Sequence, residues 1–224
     1  MDIMTRNHIL EIEYPKPGKL RARKVISRSK ARATGKYPAW KMGRMVHWES
    51  VHELHAFRLL DANPAVQAFY EQPLTIHYVL GGAPHRHYPD VLVVLTNGTK
   101  ELWEIKTAED AAEPEYAART AFLQAALPDQ GFEYRMILGE DLGRNPRLGN
   151  VMTVLKFGRA PLSIVEHENV RRALAIGPIP WGAATALLGS RGQSLLSRSF
   201  LEGRLSFDIE QQLTPETLFQ AKRN

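Results

Sequence analysis

Charged residues interrupt two neighbouring apolar runs between residues 87 and 110, in the stretch HYPDVLVVLTNGTKELWEIKTAED. Asp90 stands at the head of the first run, and Glu104 and Lys106 lie two positions apart in the second. A half-buried strand favours Val, Leu and Ile, and a carboxylate inside one costs free energy unless a partner or a metal ion stabilises it. The chain must therefore fold so that these two strands bring their charged residues together.

The dipeptide Asn97-Gly98 between the two runs is a strong hairpin signal, so the runs are predicted to pair as antiparallel strands. Glu104 and Lys106 then point to one face, and Ile105 points to the other. A two-residue loop would set Asp90 opposite Ile105 and on the wrong face. A shared site therefore requires a three-residue loop or a β-bulge near Asp90, which the neighbouring Pro89 favours.

The composition excludes several kinds of site. The 224 residues suffice for one large domain or two modest ones, and 44% of them are hydrophobic, which is ample for a core. The absence of cysteine excludes disulfides, thiolate nucleophiles and Cys-ligated zinc. No P-loop lysine motif occurs, so no ATP site is expected. No apolar run approaches the roughly 20 residues of a membrane span, and a cytoplasmic protein without a membrane partner is expected.

Basic residues are concentrated between Tyr14 and Trp48, where 11 Lys and Arg occur without an acid. The rest of the chain has 18 basic residues and 24 acids, so the excess of positive charge belongs to this segment. One interpretation is a solvated arm, but interleaved Tyr37, Trp40 and Met42 favour contact with a nucleic acid. The residues predicted to bind DNA are Arg21, Arg23, Lys24, Arg28, Lys30, Arg32, Lys36, Lys41 and Arg44.

The order of predicted elements indicates an α/β core. A helix is predicted over WESVHELHAFRLLDANP, where apolar residues recur every three positions. Four strands follow, AVQAFY, LTIHYVL, HYPDVLVVL and ELWEIKT, with a turn at GGAP, and then one helix over EDAAEPEYAARTAFLQAAL and a strand over FEYRMILG. Three short helices and a small hairpin in the last 60 or so residues suggest a winged-helix-like module. The predicted domains are a basic arm (1–46), a core (47–157) and a C-terminal domain (158–224).

Two carboxylates and a lysine at one sheet edge suit metal-assisted hydrolysis of a phosphodiester, because oxygen ligands hold Mg²⁺ and a basic group positions the attacking water. The carbonyl of Ile105 would be a further ligand. A third acid is expected from the preceding helix, where Glu49 and Glu53 share one face, and Glu53 is the choice. The alternative for Glu104 and Lys106 is an exposed ion pair of little energetic value. His85 and His87 are expected at the surface or on DNA.

The spacing Pro89-Asp90, 13 residues, Glu104-Ile105-Lys106 resembles the PD-(D/E)xK nuclease motif. More narrowly, WESVHELHAFRLLDANPAVQAFYEQPLTIHY followed by that motif resembles the TnsA endonuclease subunit of heteromeric transposases, which has a similar Glu-Gln-Pro turn. The resemblance covers roughly residues 20 to 155. Some members carry Gln where this chain has Glu104, which places the chain nearer to the broader nuclease pattern.

The resemblance implies a restriction-endonuclease-like fold, an αβββαβ core with a central mixed sheet, and a small, mainly helical C-terminal domain. It implies that Glu53, Asp90 and Glu104 hold Mg²⁺, with Mn²⁺ as a substitute, and that Lys106 is the catalytic lysine. The implied activity is cleavage of the 5′ strands at transposon ends in double-stranded DNA. The implied partners are a DDE-type, TnsB-like transposase and an AAA+, TnsC-like regulator, in a bacterial, nucleoid-associated setting. Two alternatives stay open: a stand-alone restriction or repair nuclease, and an inactive DNA-binding adapter.

Overall fold

The computed structural model describes residues 7–22 and 33–222, and these form two compact units. The first unit contains residues up to 57 together with 66–142, and the second contains 58–65 and residues from 143 onward. The predicted boundary lies after residue 157, whereas the structure groups residues 143–157 with the second unit. Arg23, Lys24, Arg28, Lys30 and Arg32 lie outside the described residues.

The first unit is a mixed α/β structure. Its strands are β1 His8–Glu13, β2 Gly35–Ala39, β3 Arg44–Trp48, β4 Val66–Glu71, β5 Thr75–Leu80, β6 Ala83–His87, β7 Val91–Leu95, β8 Lys100–Lys106 and β9 Glu133–Leu138. Its helices are α1 Val51–Ala62, whose last residues belong to the second unit, α2 Ala108–Ala112, α3 Pro114–Ala126 and α4 Gly139–Leu142. This architecture confirms the predicted α/β class.

The sheet that carries the acids has the strand order β4-β7-β8-β9. Its first three strands are antiparallel, and β9 lies parallel to β8. The parallel pair requires a crossover, which α3 supplies. The order α1, β4, β7, β8, α3, β9 is consistent with a nuclease fold, while the narrower PD-(D/E)xK assignment stays a prediction.

The β7–β8 hairpin has a three-residue connection, one of the two features that the sequence analysis required. Val91 pairs with Trp103, and the amide of Leu95 donates to the carbonyl of Thr99 at 2.9 Å. Residues 96–98 therefore form the loop, in which Gly98 takes the left-handed conformation at φ 88°. Beyond Val91, the amide of Asp90 donates to the carbonyl of Trp103 at 2.9 Å, and Oδ2 of Asp90 accepts from the amide of Ile105 at 2.7 Å. The Asp90 carboxylate therefore lies beside the end of β8 that carries Glu104 and Lys106.

Two predicted elements are each divided by a proline. Within the stretch HYPDVLVVL, His87 ends β6 and residues 91–95 form β7 in a different sheet. Pro89 between them lacks an amide for a strand ladder. The helix predicted over EDAAEPEYAARTAFLQAAL forms α2 and α3, with Glu113 extended at φ −63° and ψ 135°. The residue before a proline avoids helical angles, so Pro114 begins a new helix instead of continuing the first.

A second sheet, of order β1-β5-β6, covers an apolar cluster that β8, α3 and β9 complete. The fully or nearly fully buried members are Leu74, Ile76, Tyr78, Leu102, Leu123, Leu127, Phe132 and Tyr134. Strands β1, β2 and the start of β3 fall inside the segment predicted as a basic arm, and Tyr37, Ala39 and Val46 are buried there. Much of that segment is therefore folded, where it is described.

The second unit consists of α5 Arg147–Phe157, α6 Ile164–Ala173, β10 Ile179–Pro180, α7 Trp181–Leu187, α8 Gly192–Leu201, β11 Leu205–Ser206 and β12 Leu218–Ala221. The three short helices and the β11–β12 pair agree with the sequence prediction, and β10 adds a third strand in the order β10-β12-β11. Ring contacts from Trp181 to Phe219 at 4.9 Å and from Phe219 to Phe207 at 4.6 Å fill the space beside this sheet. The winged-helix assignment stays a prediction. Within the described ranges, no helix is long and apolar enough to cross a membrane.

Asn150 on α5 holds the chain that leads to β12. Its amide nitrogen donates to the carbonyls of Ile209 and Gln211 at 2.8 and 2.7 Å, and its oxygen accepts from the amide of Leu213 at 3.1 Å. The side chain is 2% exposed, so water cannot replace these bonds. A loop without regular structure is thus fixed by one buried amide.

We expect Asn150→Ala to lower the free energy of unfolding by about 3 kcal/mol, because it leaves buried backbone groups unpaired. Thermal or urea unfolding of the whole chain measures the loss. Lys156→Ala, on the exposed face of the same helix, is the matched control and should change stability by less than about 0.5 kcal/mol. Equal stability of the two variants would contradict the assigned role of Asn150.

Candidate active site

The hairpin brings Asp90, Glu104 and Lys106 to one end of β7 and β8. Oδ2 of Asp90 accepts from the amide of Ile105 at 2.7 Å, which fixes its carboxylate against the neighbouring strand. Oε1 of Glu104 lies 3.0 Å from Nζ of Lys106. Glu104 is only 3% exposed, so this pair is not the exposed ion pair that was the alternative interpretation.

Glu53 lies in the first turn of α1 and is also buried. Its carboxylate accepts from the amide of Glu49 at 2.9 Å, and its own amide donates to Oγ of Ser50 at 3.1 Å. This exchange resembles a capping box, in which side chains satisfy the free amides of a helix start. The capping explains why a carboxylate is stable there, and its charge reaches Asp90.

The electrostatics of Asp90 show that the three acids lie close together. Burial raises the pKa of Asp90 well above its usual range, and the negative charges of Glu104 and Glu53 raise it further. The hydrogen bond from Ile105 and the charge of Lys106 act in the opposite direction but do not offset these effects. The site therefore concentrates more negative charge than its own cations neutralise.

Lys106 is held as an ammonium group. Burial by itself favours the neutral amine, but the charges of Glu104 and Asp90 outweigh it and raise the pKa of Lys106. Its Nζ also lies 5.3 Å from the ring centre of Tyr116, in a cation–π contact. In this state Lys106 donates hydrogen bonds and does not accept a proton.

Three residues that the sequence analysis missed surround Glu104. Nη2 of Arg119 lies 3.2 Å from Oε1 of Glu104, Nε2 of His87 lies 3.4 Å from Oε2, and the hydroxyl of Tyr134 lies 3.1 Å from the same histidine nitrogen. Arg119 precedes the buried Leu123 by four positions on α3, so the shared helix face was a usable signal. The sequence around Tyr134 gave no such signal, because an inward-facing tyrosine on a strand is also common in an ordinary core.

The expectation that His87 lies at the surface or on DNA is wrong. The side chain is 6% exposed, and burial, together with the charges of Arg119 and Lys106, lowers the pKa of His87 to about 3. His87 is therefore neutral at physiological pH. Its position as the last residue of β6, whose other residues are exposed, explains why a surface location was expected.

The residues present fit a hard divalent cation. Oε2 of Glu104 is buried and accepts no hydrogen bond from the residues that the structure describes, and like charges crowd Asp90. A cation at this position would relieve both. Among the described residues, no three His, Asp or Glu side chains form a ready metal cage, and Mg²⁺ needs none, because one or two carboxylates plus substrate phosphates normally hold it.

Two of the arginines that were predicted to bind DNA form ion pairs with a buried acid. Arg44 makes a bidentate contact with Glu71, at 2.9 and 2.6 Å, and Nη1 of Arg21 lies 3.6 Å from the same carboxylate. Glu71 is 1% exposed, so these contacts stabilise the fold. Lys36 is exposed, and Lys41 lies 5.3 Å from the ring centre of Trp40. Their contact with DNA stays a prediction.

The fold and the clustered acids define an α/β protein with a site suited to a nuclease, and a family comparison supports the same class. Residues 63–139 match the family model described as TnsA-like endonuclease N terminal, of the Tn7 type. The match confirms the resemblance to TnsA-like endonucleases and points to Tn7-type transposition. It spans 77 of the 224 residues and includes Asp90, Glu104 and Lys106, while Glu53 precedes it. A search of curated proteins finds no match.

We expect Arg44→Ala to destabilise the protein by about 3 kcal/mol, because it leaves the charge of Glu71 buried without its bidentate partner. Lys36→Ala, a basic residue on the adjacent strand that is exposed, serves as the control with little change. Urea unfolding of both variants checks this. If Arg44→Ala were as stable as Lys36→Ala, the ion pair with Glu71 would not support the fold.

Burial of His87 makes stability depend on pH. Because the pKa of His87 is about 3 in the folded protein and about 6.5 in the unfolded chain, the unfolded chain binds more protons between these values. Stability must then fall as the pH falls. In buffer with a chelator, the stability of the wild type relative to His87→Gln should decrease from pH 6.5 toward 4, by up to about 1.4 kcal/mol per pH unit. A constant difference across a series of urea titrations would show that folded His87 accepts a proton normally.

Proposed function

We propose that the chain is a Mg²⁺-dependent endodeoxyribonuclease subunit of a heteromeric transposase, which cuts the 5′ strands at transposon ends. The observation that carries the proposal is the convergence of Asp90, Glu104 and Lys106 at one end of the β7–β8 hairpin, with Glu53 close enough to act on Asp90. Similarity of residues 63–139 to TnsA-like endonucleases supports both the chemistry and the setting.

The residues that would hold the metal are Asp90, Glu104 and the carbonyl of Ile105, with Glu53 supporting a second ion or its bound water. Mn²⁺ is expected to replace Mg²⁺, because both accept carboxylate and carbonyl oxygens. When bound, the ion would polarise the scissile phosphate and lower the pKa of the attacking water. The bond from the amide of Ile105 orients Asp90 before any ligand arrives, which reduces the reorganisation that binding requires.

Lys106 would position the attacking water and the scissile phosphate. As an ammonium group it donates hydrogen bonds to phosphate or water oxygens. Where a bound cation neutralised the charges of Glu104 and Asp90, the pKa of Lys106 would fall, and the amine left after loss of one proton to solvent would take up the water proton. Arg119 shares Oε1 of Glu104 with Lys106 and so keeps that carboxylate in place while Lys106 moves. The products would be a 5′-phosphate and a 3′-hydroxyl.

The choice of the cutting position would belong to the partners. Basic residues of the first 46 positions would neutralise phosphates of the double-stranded DNA without reading many bases. A DDE-type, TnsB-like transposase would act on the 3′ ends, and an AAA+, TnsC-like regulator would control assembly. The second unit is proposed to dock one of these two proteins.

The test combines the purified chain, its transposase partner and a duplex carrying the element ends, in Mg²⁺ and then in Ca²⁺. We expect strand-specific 5′ cuts with Mg²⁺ or Mn²⁺ only. The rate should fall by at least about 100-fold for Lys106→Ala, which removes an acid–base group, and should also fall strongly for Asp90→Asn, which removes a charged metal ligand.

The controls match each variant in chemistry. Lys100→Ala changes a lysine at the opposite end of β8, and Asp129→Asn changes an exposed acid in the same unit. Both should cleave at the wild-type rate. Cleavage without the partner would indicate a stand-alone nuclease, and equal rates for Asp90→Asn and wild type would overturn the assigned site.

A further inference from the structure

A groove of about 650 Å³ lies in the first unit, lined by residues 13–22, the start of β5 and the β6–β7 connection. Its cationic side chains are Lys16, Lys19, Arg21 and Arg86, and its aromatic ones are Tyr14 and Tyr88. Glu13, the acid in the lining, is bound to His77 at 3.2 Å. The groove therefore carries an excess of positive charge beside aromatic rings.

A tight turn presents two of these cations. In the sequence Lys16-Pro17-Gly18-Lys19, the amide of Lys19 donates to the carbonyl of Lys16 at 2.9 Å. Proline at the second position and glycine at the third, with φ 79°, are the residues that a type II turn requires. Both lysines are exposed at the ends of this turn, where their ammonium groups remain hydrated and accessible.

The opposite wall comes from the end of β6. Arg86 is exposed and its guanidinium lies 5.4 Å from the ring centre of Tyr88. Tyr14 is 61% exposed, so its ring is accessible to a ligand in the groove. Exposed rings between cations are typical of surfaces that contact a nucleic acid backbone and its bases.

The groove connects directly to the candidate active site. The amide of Ala22 donates to the carbonyl of Gln72 at 2.9 Å, and the amide of Gln72 donates to the carbonyl of Asp90 at 2.8 Å. Gln72 is buried and has a φ of 44°, a left-handed conformation that costs free energy in any residue but glycine. Tyr88 is also only two residues from Asp90. Two short paths of chain thus join the groove to one carboxylate.

We propose that this groove binds the sugar–phosphate backbone of the DNA next to the cleavage position, with Lys16, Lys19 and Arg86 on phosphates and Tyr14 against a sugar or base. The inference rests on the proposed nuclease function and extends it by assigning a path for the substrate. None of these four residues belongs to the catalytic group. Their contribution is to hold the strand that enters the site.

The experiment measures DNA binding apart from cleavage. The full chain carrying Asp90→Asn is titrated with a fluorescent duplex of the element end at several KCl concentrations, with and without Lys19→Gln and Arg86→Gln. Each lost phosphate contact on duplex DNA lowers the slope of log K against log salt by about 0.9, so the pair should lower it by about 1.8. Lys100→Gln is the matched control, with an unchanged slope.

A second comparison tests the aromatic contact. Tyr14→Leu should weaken binding several-fold, and Tyr14→Phe should not, since a stacked ring contributes about 1 kcal/mol or more. A blunt duplex and a duplex with a single-stranded overhang distinguish contact with a sugar from stacking on an unpaired base. A larger loss with the overhang favours the base, and an equal loss favours the sugar.

The outcomes separate this inference from the proposed function. Unchanged slopes in the Lys19 and Arg86 variants, alongside normal cleavage by the wild type, would overturn the groove and leave the nuclease intact. Reduced slopes, alongside cleavage that survives Asp90→Asn, would support the groove and overturn the assigned catalytic site. Wild-type binding that does not depend on salt would also overturn the groove, because its contacts are ionic.

Discussion

The negative charge concentrated at the end of the β7–β8 hairpin is the main constraint on the surrounding structure, which must compensate it. Glu53 and Glu104 are buried beside Asp90, and an uncompensated buried carboxylate costs several kcal/mol. Lys106 and Arg119 compensate one oxygen of Glu104, while His87 beside the other oxygen stays neutral. The raised pKa of Asp90 records the negative charge that is left. A divalent cation would neutralise this remaining negative charge.

The backbone around Gln72 shows how this site is connected to the rest of the first unit. Its amide and carbonyl bind Asp90 and Ala22, and its side chain donates to Glu49 at 3.0 Å, next to the start of α1. The carboxylate of the preceding Glu71 forms ion pairs with Arg44 and Arg21. A single strained turn therefore joins the strand that carries Asp90, the helix that carries Glu53 and the basic segment. Strain of this kind persists only where several contacts determine the same conformation.

The local pattern predicted most elements after residue 47, but it missed β1, β2, β3 and α5 and did not show where prolines divide two other elements. Spacing of apolar residues located α1, β4, β5 and the helices α6 to α8, because side-chain periodicity reports which face is buried. The same spacing predicted one strand across the end of β6 and β7, because Pro89 interrupts the strand ladder but leaves the pattern of apolar residues unchanged. It also left Arg119, His87 and Tyr134 out of the site. Their roles depend on β6, α3 and β9 meeting around Glu104. The helix face that Arg119 shares with Leu123 was a local signal, but no local signal pointed to His87 or Tyr134.

The sequence by itself determined that Asp90 could reach the face of Glu104 and Lys106 only through a three-residue loop or a β-bulge, because strand alternation with a two-residue loop puts Asp90 on the other face. The structure contains the three-residue loop. Only the tertiary structure decided which of the basic residues stabilise the fold. The sequence predicted that Arg44 and Arg21 bind DNA, whereas in the structure both pair with the buried Glu71. It also decided the protonation of His87 and Lys106, since a pKa is set by burial and by charges brought together from distant positions in the chain.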